Sequence, residues 1–296
     1  MWRSRLRRYA LYPLQAALVL VALAAFGALP IDRASALGGW LGRTIGPRLR
    51  VTRVAERNLR RAFPERSADD IAAIVRGMWA NLGRVAAEYP HLGEIDVCAD
   101  DGRVEMIGAE TIDALRDDGI GCIFFAAHLG NWEIASLAAT QNGVPLTQIY
   151  RAANNPLVEP ILRRLREPIG GVHFPKGAPG AKQLIAALRR GEHLAMMVDQ
   201  KLNEGIPVPF FGREAMTAPA LAQLALKFRC PIVPARVERL EGARFRLTIH
   251  PPLELPDSGD RHADVAETMR RVNALIEEWV RARPEQWLWL HRRWPD

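Results

Sequence analysis

The sequence predicts an α/β layer fold of one catalytic-size domain behind a hydrophobic N-terminal anchor. Three observations carry that expectation. From Ser67 onward, segments of helical and of strand-like periodicity alternate, as they do when helices cover a sheet. Residues 122–127, CIFFAA, are apolar at every position, the pattern of a strand covered on both faces. Residues 9–31 carry no charge and one strongly polar side chain, Gln15, over about the length that crosses a bilayer.

Taken in order, the anchor comes first. Arg3, Arg5, Arg7 and Arg8 precede the apolar run, and Arg33, Arg43, Arg48, Arg50, Arg53 and Arg57 follow it. Three readings compete: a cleaved signal peptide with Ala34-Ser35-Ala36 as its processing site, a spanning anchor, and a helix lying in the interface. Arginine on both flanks removes the imbalance on which the positive-inside rule depends. The expectation is an uncleaved anchor over residues 1–35, spanning or interfacial, followed by a catalytic domain over residues 36–296.

Ser67-x-x-Asp70 is a helix-start signal, and Ile71, Ile74, Val75, Met78, Trp79, Leu82 and Val85 follow at helical spacing until Pro90. A short strand at 104–107 and a helix at 110–116 lead into the apolar strand at 122–127. Strands are expected at 145–150, 194–198, 232–237 and 245–249, where apolar and β-branched residues cluster. Helices are expected at 157–166, 181–190 and 218–228, and a long amphipathic one at 264–280.

Composition bounds the function. With 49% hydrophobic and 25% charged residues the chain of 296 is a folded protein rather than a disordered one. Cys98, Cys122 and Cys230 are far apart, with no C-x-x-C. That argues against a disulfide framework and a structural zinc site, and for a reducing compartment. Residues 1–66 hold thirteen Arg against Asp32, Glu56 and Glu65, a net +10 that leaves −3 for the rest of a chain whose total is +7. A basic block at one end, beside an apolar run, suits an anionic membrane surface. A nucleic-acid partner is not expected, since such binders carry their charge along a recognition helix or sheet.

The strand at 122–127 runs into His128-Leu129-Gly130-Asn131-Trp132-Glu133. In open α/β sheets, ligands bind beyond the carboxyl ends of strands. Residues five apart on a helix diverge by about 140°. His128 and Glu133 therefore meet only if His128 precedes the helix, on a turn that Gly130 permits, with Glu133 in the first turn. An imidazole steadied by a carboxylate is a general base; the alternative is a helix cap with an acid at its positive end. The sequence contains no G-x-S-x-G, H-E-x-x-H, Walker A loop or G-x-G-x-x-G. Cys122 sits on a buried strand, where thiols are inert. Direct attack by a substrate hydroxyl is favoured over a covalent enzyme intermediate.

HLGNWE, with Tyr150-Arg151, Asn155-Pro156, Asp199-Gln200, Val208-Pro209-Phe210-Phe211-Gly212 and PEQWLWLHRRW at 284–294, closely resembles the bacterial lipid A biosynthesis acyltransferases. These are the late enzymes of the lauroyl and myristoyl type, within the lysophospholipid acyltransferase-like group. The resemblance covers essentially the whole chain. The wider group usually has Asp where this chain has Glu133. The resemblance implies a mixed central sheet flanked by helices, on the cytoplasmic side of a bacterial inner membrane and in contact with its lipids. It also implies acyl transfer from acyl carrier protein to a hydroxyl of a lipid A precursor, with no cofactor and no metal. A phosphatidylinositol mannoside or another lipid acceptor, a thioesterase, and a non-enzymatic membrane adaptor stay open.

Within that resemblance His128 is the expected base and Glu133 the group that orients it. Asn131 and the backbone N–H groups of the helix start are expected at the oxyanion. Arg151, and less strongly Arg164, Arg292 and Arg293, are expected to face the acceptor's phosphates. Asp199 is expected at the same rim with Lys201 and Arg213 nearby. Thr217 is expected to cap a helix, and Trp287, Trp289 and Trp294 to lie either at a membrane interface or in the core. His91, His173, His193, His250 and His262 receive no function.

Overall fold

The structure is a computed structural model that describes residues 10–99, 102–117 and 119–294. Arg3, Arg5, Arg7 and Arg8 lie outside these. The apolar N-terminal run, continuous in sequence, is divided in space. Helix α1 (Tyr12–Gly27) ends before Pro30, and helix α2 (Ile31–Ile45) starts directly after it. Proline has no N–H to donate and drives the preceding residue out of the helical region. The 16 residues of α1 rise about 24 Å, short of a hydrocarbon core of about 30 Å. Among the described residues no helix is long and apolar enough to cross a membrane, so the expectation of a spanning anchor finds no support here. The boundary placed at residue 35 falls inside α2.

Helix α3 (Thr52–Ala62) and helix α4 (Ala68–Glu88) follow. The capping box at the start of α4 forms as the sequence predicts, with the Asp70 N–H donating to Ser67 Oγ and the Ser67 N–H to the Asp70 carboxylate. Helices α2 and α4 touch through glycine. A Cβ at Gly42 would lie 2.1 Å from the Trp79 carbonyl oxygen, and one at Gly83 would lie 2.1 Å from that of Gly38.

Among the described residues seven strands form the central sheet: β1 (Val104–Ile107), β2 (Ile123–Ala126), β3 (Leu146–Tyr150), β4 (Val172–Pro175), β5 (His193–Met197), β8 (Ile232–Arg239) and β9 (Phe245–Ile249). Two more, β6 (Lys201–Phe210) and β7 (Arg213–Thr217), make a separate hairpin. The sheet order is β1-β9-β8-β2-β5-β3-β4. Every pairing in it is parallel except β8 with β9, so the sheet is mixed. Central β2 is buried along its whole length. Phe125 enters the core under helices α8 (Ala178–Arg189), α9 (Ala220–Phe228) and α10 (Arg261–Ala282). Phe124 enters the opposite core, with α5 (Ala109–Asp117) and α6 (Glu133–Gln141). Helix α7 (Glu159–Leu165) lies between β3 and β4 in sequence.

The strands and helices expected from periodicity are present within a few residues. β4 and the β6–β7 hairpin are not foreseen. β4 is a four-residue edge strand ending in Pro175, and β6 contains Pro207 and Pro209, residues that read as loop because they cannot donate to a ladder. The hairpin turns on Phe211 and Gly212, both at positive φ, as two-residue hairpins require. Thr217 closes β7 rather than capping α9, whose cap position is Pro219 with no side-chain bond.

Replacing Gly42 or Gly83 with Ala is expected to lower stability by about 1–3 kcal/mol through overpacking, read as a shifted midpoint in chemical denaturation. An unchanged midpoint would show that α2 is not tightly seated.

Candidate active site

The sheet register builds the site. Ala126 at the end of β2 lies opposite Met197 at the end of β5. Two residues past each strand, His128 and Asp199 face one another, though 71 positions separate them in the chain. The His128 Nδ1–H donates to Asp199 Oδ1 at 2.8 Å, and its backbone N–H donates to Oδ2 at 2.9 Å. Trp287 Nε1–H adds a third bond to Oδ2 at 2.7 Å. Burial pulls His128 toward neutrality, but the Asp199 carboxylate outweighs it, and the imidazole pKa is raised. Burial likewise opposes ionisation of Asp199, yet His128 and the bonds from His128 and Trp287 hold its pKa down to about 2. In the neutral ring Asp199 fixes the tautomer, with the proton on Nδ1 and the reactive lone pair on Nε2, and it stabilises the imidazolium once Nε2 takes a proton.

The carboxylate hydrogen-bonded to His128 is thus that of Asp199, whereas Glu133, expected to orient the ring, makes its own bonds elsewhere. Gly130 does adopt positive φ, at 59°, and Glu133 does open α6. The side chain of Glu133, however, is taken by other donors. Its Oε1 accepts from Tyr89 Oη, from Arg166 Nη2 at 3.1 Å and from Trp132 Nε1 at 3.2 Å. Arg166 Nη2 also donates to Tyr89 Oη at 3.0 Å. Burial and the Glu133 charge raise the Tyr89 pKa, so Tyr89 is a permanent donor. Arg166 keeps its charge because Glu133 outweighs burial. Glu133 still favours the imidazolium of His128 through space. The Trp132 ring stands edge-on to His128, with centroids 5.2 Å apart.

A buried ion pair holds the turn between them. Arg239, at the end of β8, grips Glu88, at the end of α4, through two bonds of 2.5 and 2.9 Å. Glu88 is completely buried and also accepts from Ser35 Oγ at 2.6 Å and Asn131 Nδ2 at 2.9 Å. Arg239 Nε donates to Asn81, whose Nδ2 donates to the Gly130 carbonyl at 2.9 Å. The C-terminal segment completes the frame. Gln286 exchanges two 2.8 Å bonds with the Arg239 backbone, its carbonyl accepts the Gly130 N–H, and the Leu288 N–H donates to the His128 carbonyl.

The remaining expected residues divide. Asn131, expected at the oxyanion, is buried, with Nδ2 on Glu88 and Oδ1 accepting the Glu133 N–H. Lys201 opens β6, and its N–H donates to His291 Nδ1 at 3.3 Å. Arg151 is exposed just past β3, beside Asn154, and Arg164 is exposed on α7; the arginine that reaches the site is Arg166. Arg292 is exposed. Arg293 is fully buried and donates to the Met216 carbonyl, Thr217 and Asn273. It cannot meet a phosphate there, and burial lowers its pKa to about 10. Arg213 donates to the Arg61 carbonyl. Trp287, Trp289 and Trp294 are core residues, at most 3% exposed. Sequence reasoning missed Tyr89, Glu88, Arg166, Arg239 and His291, which become neighbours only when distant elements meet.

An apolar cavity lies between α6 and the sheet, lined by Phe124, Ala126, Trp132, Ala135, Leu146 and Met197 among others. Trp132 is shared between this cavity and the imidazole. Among the described residues no three His, Cys, Asp or Glu side chains are grouped as metal ligands would be. The arrangement is that of a base able to deprotonate a hydroxyl beside an apolar slot.

Residues 3–296 match the family model described as bacterial lipid A biosynthesis acyltransferase. The chain is 26% identical to the lipid A biosynthesis acyltransferase of Haemophilus influenzae, over 88% of this chain and 81% of that protein. It is 28% identical to the lipid A biosynthesis myristoyltransferase of Escherichia coli, over 79% of this chain and 72% of that protein. With the phosphatidylinositol mannoside acyltransferase of Mycolicibacterium smegmatis it shares 25% identity, over 80% of this chain and 78% of that protein.

Asp199→Asn removes the charge that favours the imidazolium, so burial then dominates and the His128 pKa should fall; NMR titration of the ring nitrogens measures this. Glu88→Ala, which leaves Arg239 buried and unpaired, should cost about 3–5 kcal/mol in chemical denaturation. Replacing both partners with apolar residues of similar volume should recover most of the loss.

Proposed function

The chain belongs to the bacterial lipid A biosynthesis acyltransferase family, and we propose that it moves a fatty acyl chain from the thioester of acyl carrier protein to a hydroxyl of a lipid A precursor. The observation that carries this reading is the His128–Asp199 pair at the strand mouths, beside the apolar cavity, in a chain matched by that family over nearly all its length. His128 Nε2 takes the acceptor's hydroxyl proton as the oxygen attacks the thioester carbon, and returns it to the departing thiolate. Asp199 stabilises the imidazolium. Glu133 acts at one remove: it fixes Arg166, whose side chain is 25% exposed, as a cation for an acceptor phosphate.

The N-terminal helices suit a lipid interface. Leu14, Leu18 and Val21 on α1 and Leu37 and Trp40 on α2 are exposed, as are Arg33, Arg43, Arg48, Arg50 and Arg53. Apolar side chains flanked by guanidinium groups favour a helix pair lying in the cytoplasmic leaflet of the inner membrane, in contact with anionic headgroups. A second acceptor, a phosphatidylinositol mannoside, is favoured by the mycobacterial relative; the chemistry at His128 would be the same.

Incubation of the purified protein with labelled acyl carrier protein thioester, with and without lipid A precursor, tests the reading. Transfer of label to the lipid is expected; free fatty acid alone would indicate a thioesterase, and no reaction an adaptor. His128→Ala should remain folded and lose activity on the order of a hundredfold or more, and near-normal turnover in that variant would refute the base.

A further inference from the structure

A tetrahedral intermediate needs a donor for its oxyanion, and several of the groups around the turn are already engaged. The backbone N–H groups of His128, Gly130, Glu133 and Ile134 all have acceptors within the fold, and the Asn131 carboxamide is locked between Glu88 and Glu133. One side-chain amide faces the reactive nitrogen: Gln200 Nε2 lies 3.5 Å from His128 Nε2. In the neutral ring Nδ1–H donates a hydrogen bond to Asp199 and Nε2 is an acceptor, which the Gln200 amide N–H faces.

The contact is long for a hydrogen bond, and among the described residues the Gln200 carboxamide has no other partner. The backbone on either side is clamped. Asp199 is held by His128 and Trp287, and the Lys201 N–H donates to His291 Nδ1. A weakly engaged donor on a rigid base, next to the point of attack, can change acceptor without moving the main chain.

We propose that Gln200 supplies the oxyanion hydrogen bond in acyl transfer, a role that rests on the acyltransferase reading above. The acceptor hydroxyl displaces the Gln200 amide from His128 Nε2. As the new C–O bond forms, the carbonyl π electrons move to the acyl oxygen, where the amide N–H meets them, and the hydroxyl proton passes to Nε2. On collapse the C–S bond breaks, and the sulfur leaves with that proton, giving ester and thiol.

Gln200→Met keeps the length and removes the donor, and Gln200→Glu keeps the shape and removes it too; Gln200→Asn retains a donor one methylene shorter. In the full-length protein, assayed with acyl carrier protein thioester and lipid A precursor, Met and Glu should reduce kcat by about 10²–10³-fold. KM for both substrates should barely move, and Asn should recover part of the loss. His128 is faced by Asp199, Glu133, Arg166 and His291, none altered in the Met variant. The Gln200 contact being lost is long and uncharged, so the acid limb of that variant's kcat/KM profile should stay close to the wild-type pH while the plateau drops. A shifted limb with a restored plateau would mean that Gln200 only tunes the base, and a raised acceptor KM at unchanged kcat would mean that it only binds the acceptor. Either result, or normal kcat in a folded Met variant, overturns the proposal. Wild-type protein that transfers nothing overturns the acyltransferase reading itself, and this proposal with it.

Discussion

The rest of the site depends on one interaction, the bond between His128 and Asp199 across the ends of two parallel strands. Parallel pairing brings two carboxyl-terminal ends to the same edge of the sheet, so a side chain two residues past one strand meets its counterpart past the next. Burial makes the contact strong and specific. In a region of low dielectric an unpaired carboxylate would be costly, and the imidazole is the nearest cation that can satisfy it. The same contact leaves only one ring nitrogen for chemistry, which defines where a hydroxyl must lie and which neighbouring donors matter.

That bond is maintained by a network of buried groups behind it. Arg239 and Glu88, both almost wholly buried, tie β8 to the end of α4, and through Asn81, Asn131 and Gln286 they fix the turn containing Gly130. A buried ion pair of this kind adds little net stability compared with an apolar pair of similar volume. Here it positions: its hydrogen bonds end on the backbone that carries His128. The C-terminal tryptophans do related work, with Trp287 bonding Asp199 directly and Trp289 and Trp294 packed against the aromatic turn of the hairpin.

Legibility followed the range of the interaction. The capping box at Ser67, the buried strand at 122–127 and the glycine turn after His128 are local features, visible in a few consecutive residues. The prolines of β6 hid a strand, because their ladder partner is another segment. The run before Pro30 looked continuous, since hydropathy does not register a backbone break. Arg293 shows the limit for charge: sequence offers a guanidinium suited to phosphate, while the fold encloses it among Met216, Thr217 and Asn273.

The sequence by itself determined the α/β architecture, the position of His128 at a strand end and the combination of motifs that carried the family resemblance, because each rests on short-range periodicity, turn chemistry or the order of motifs. Which carboxylate serves the imidazole was decided only by tertiary structure. Glu133 is five residues from His128 and Asp199 is 71, yet the shorter separation lies around a turn and into a helix that directs Glu133 to Tyr89 and Arg166. Strand register, a property of the assembled sheet, overrides proximity along the chain.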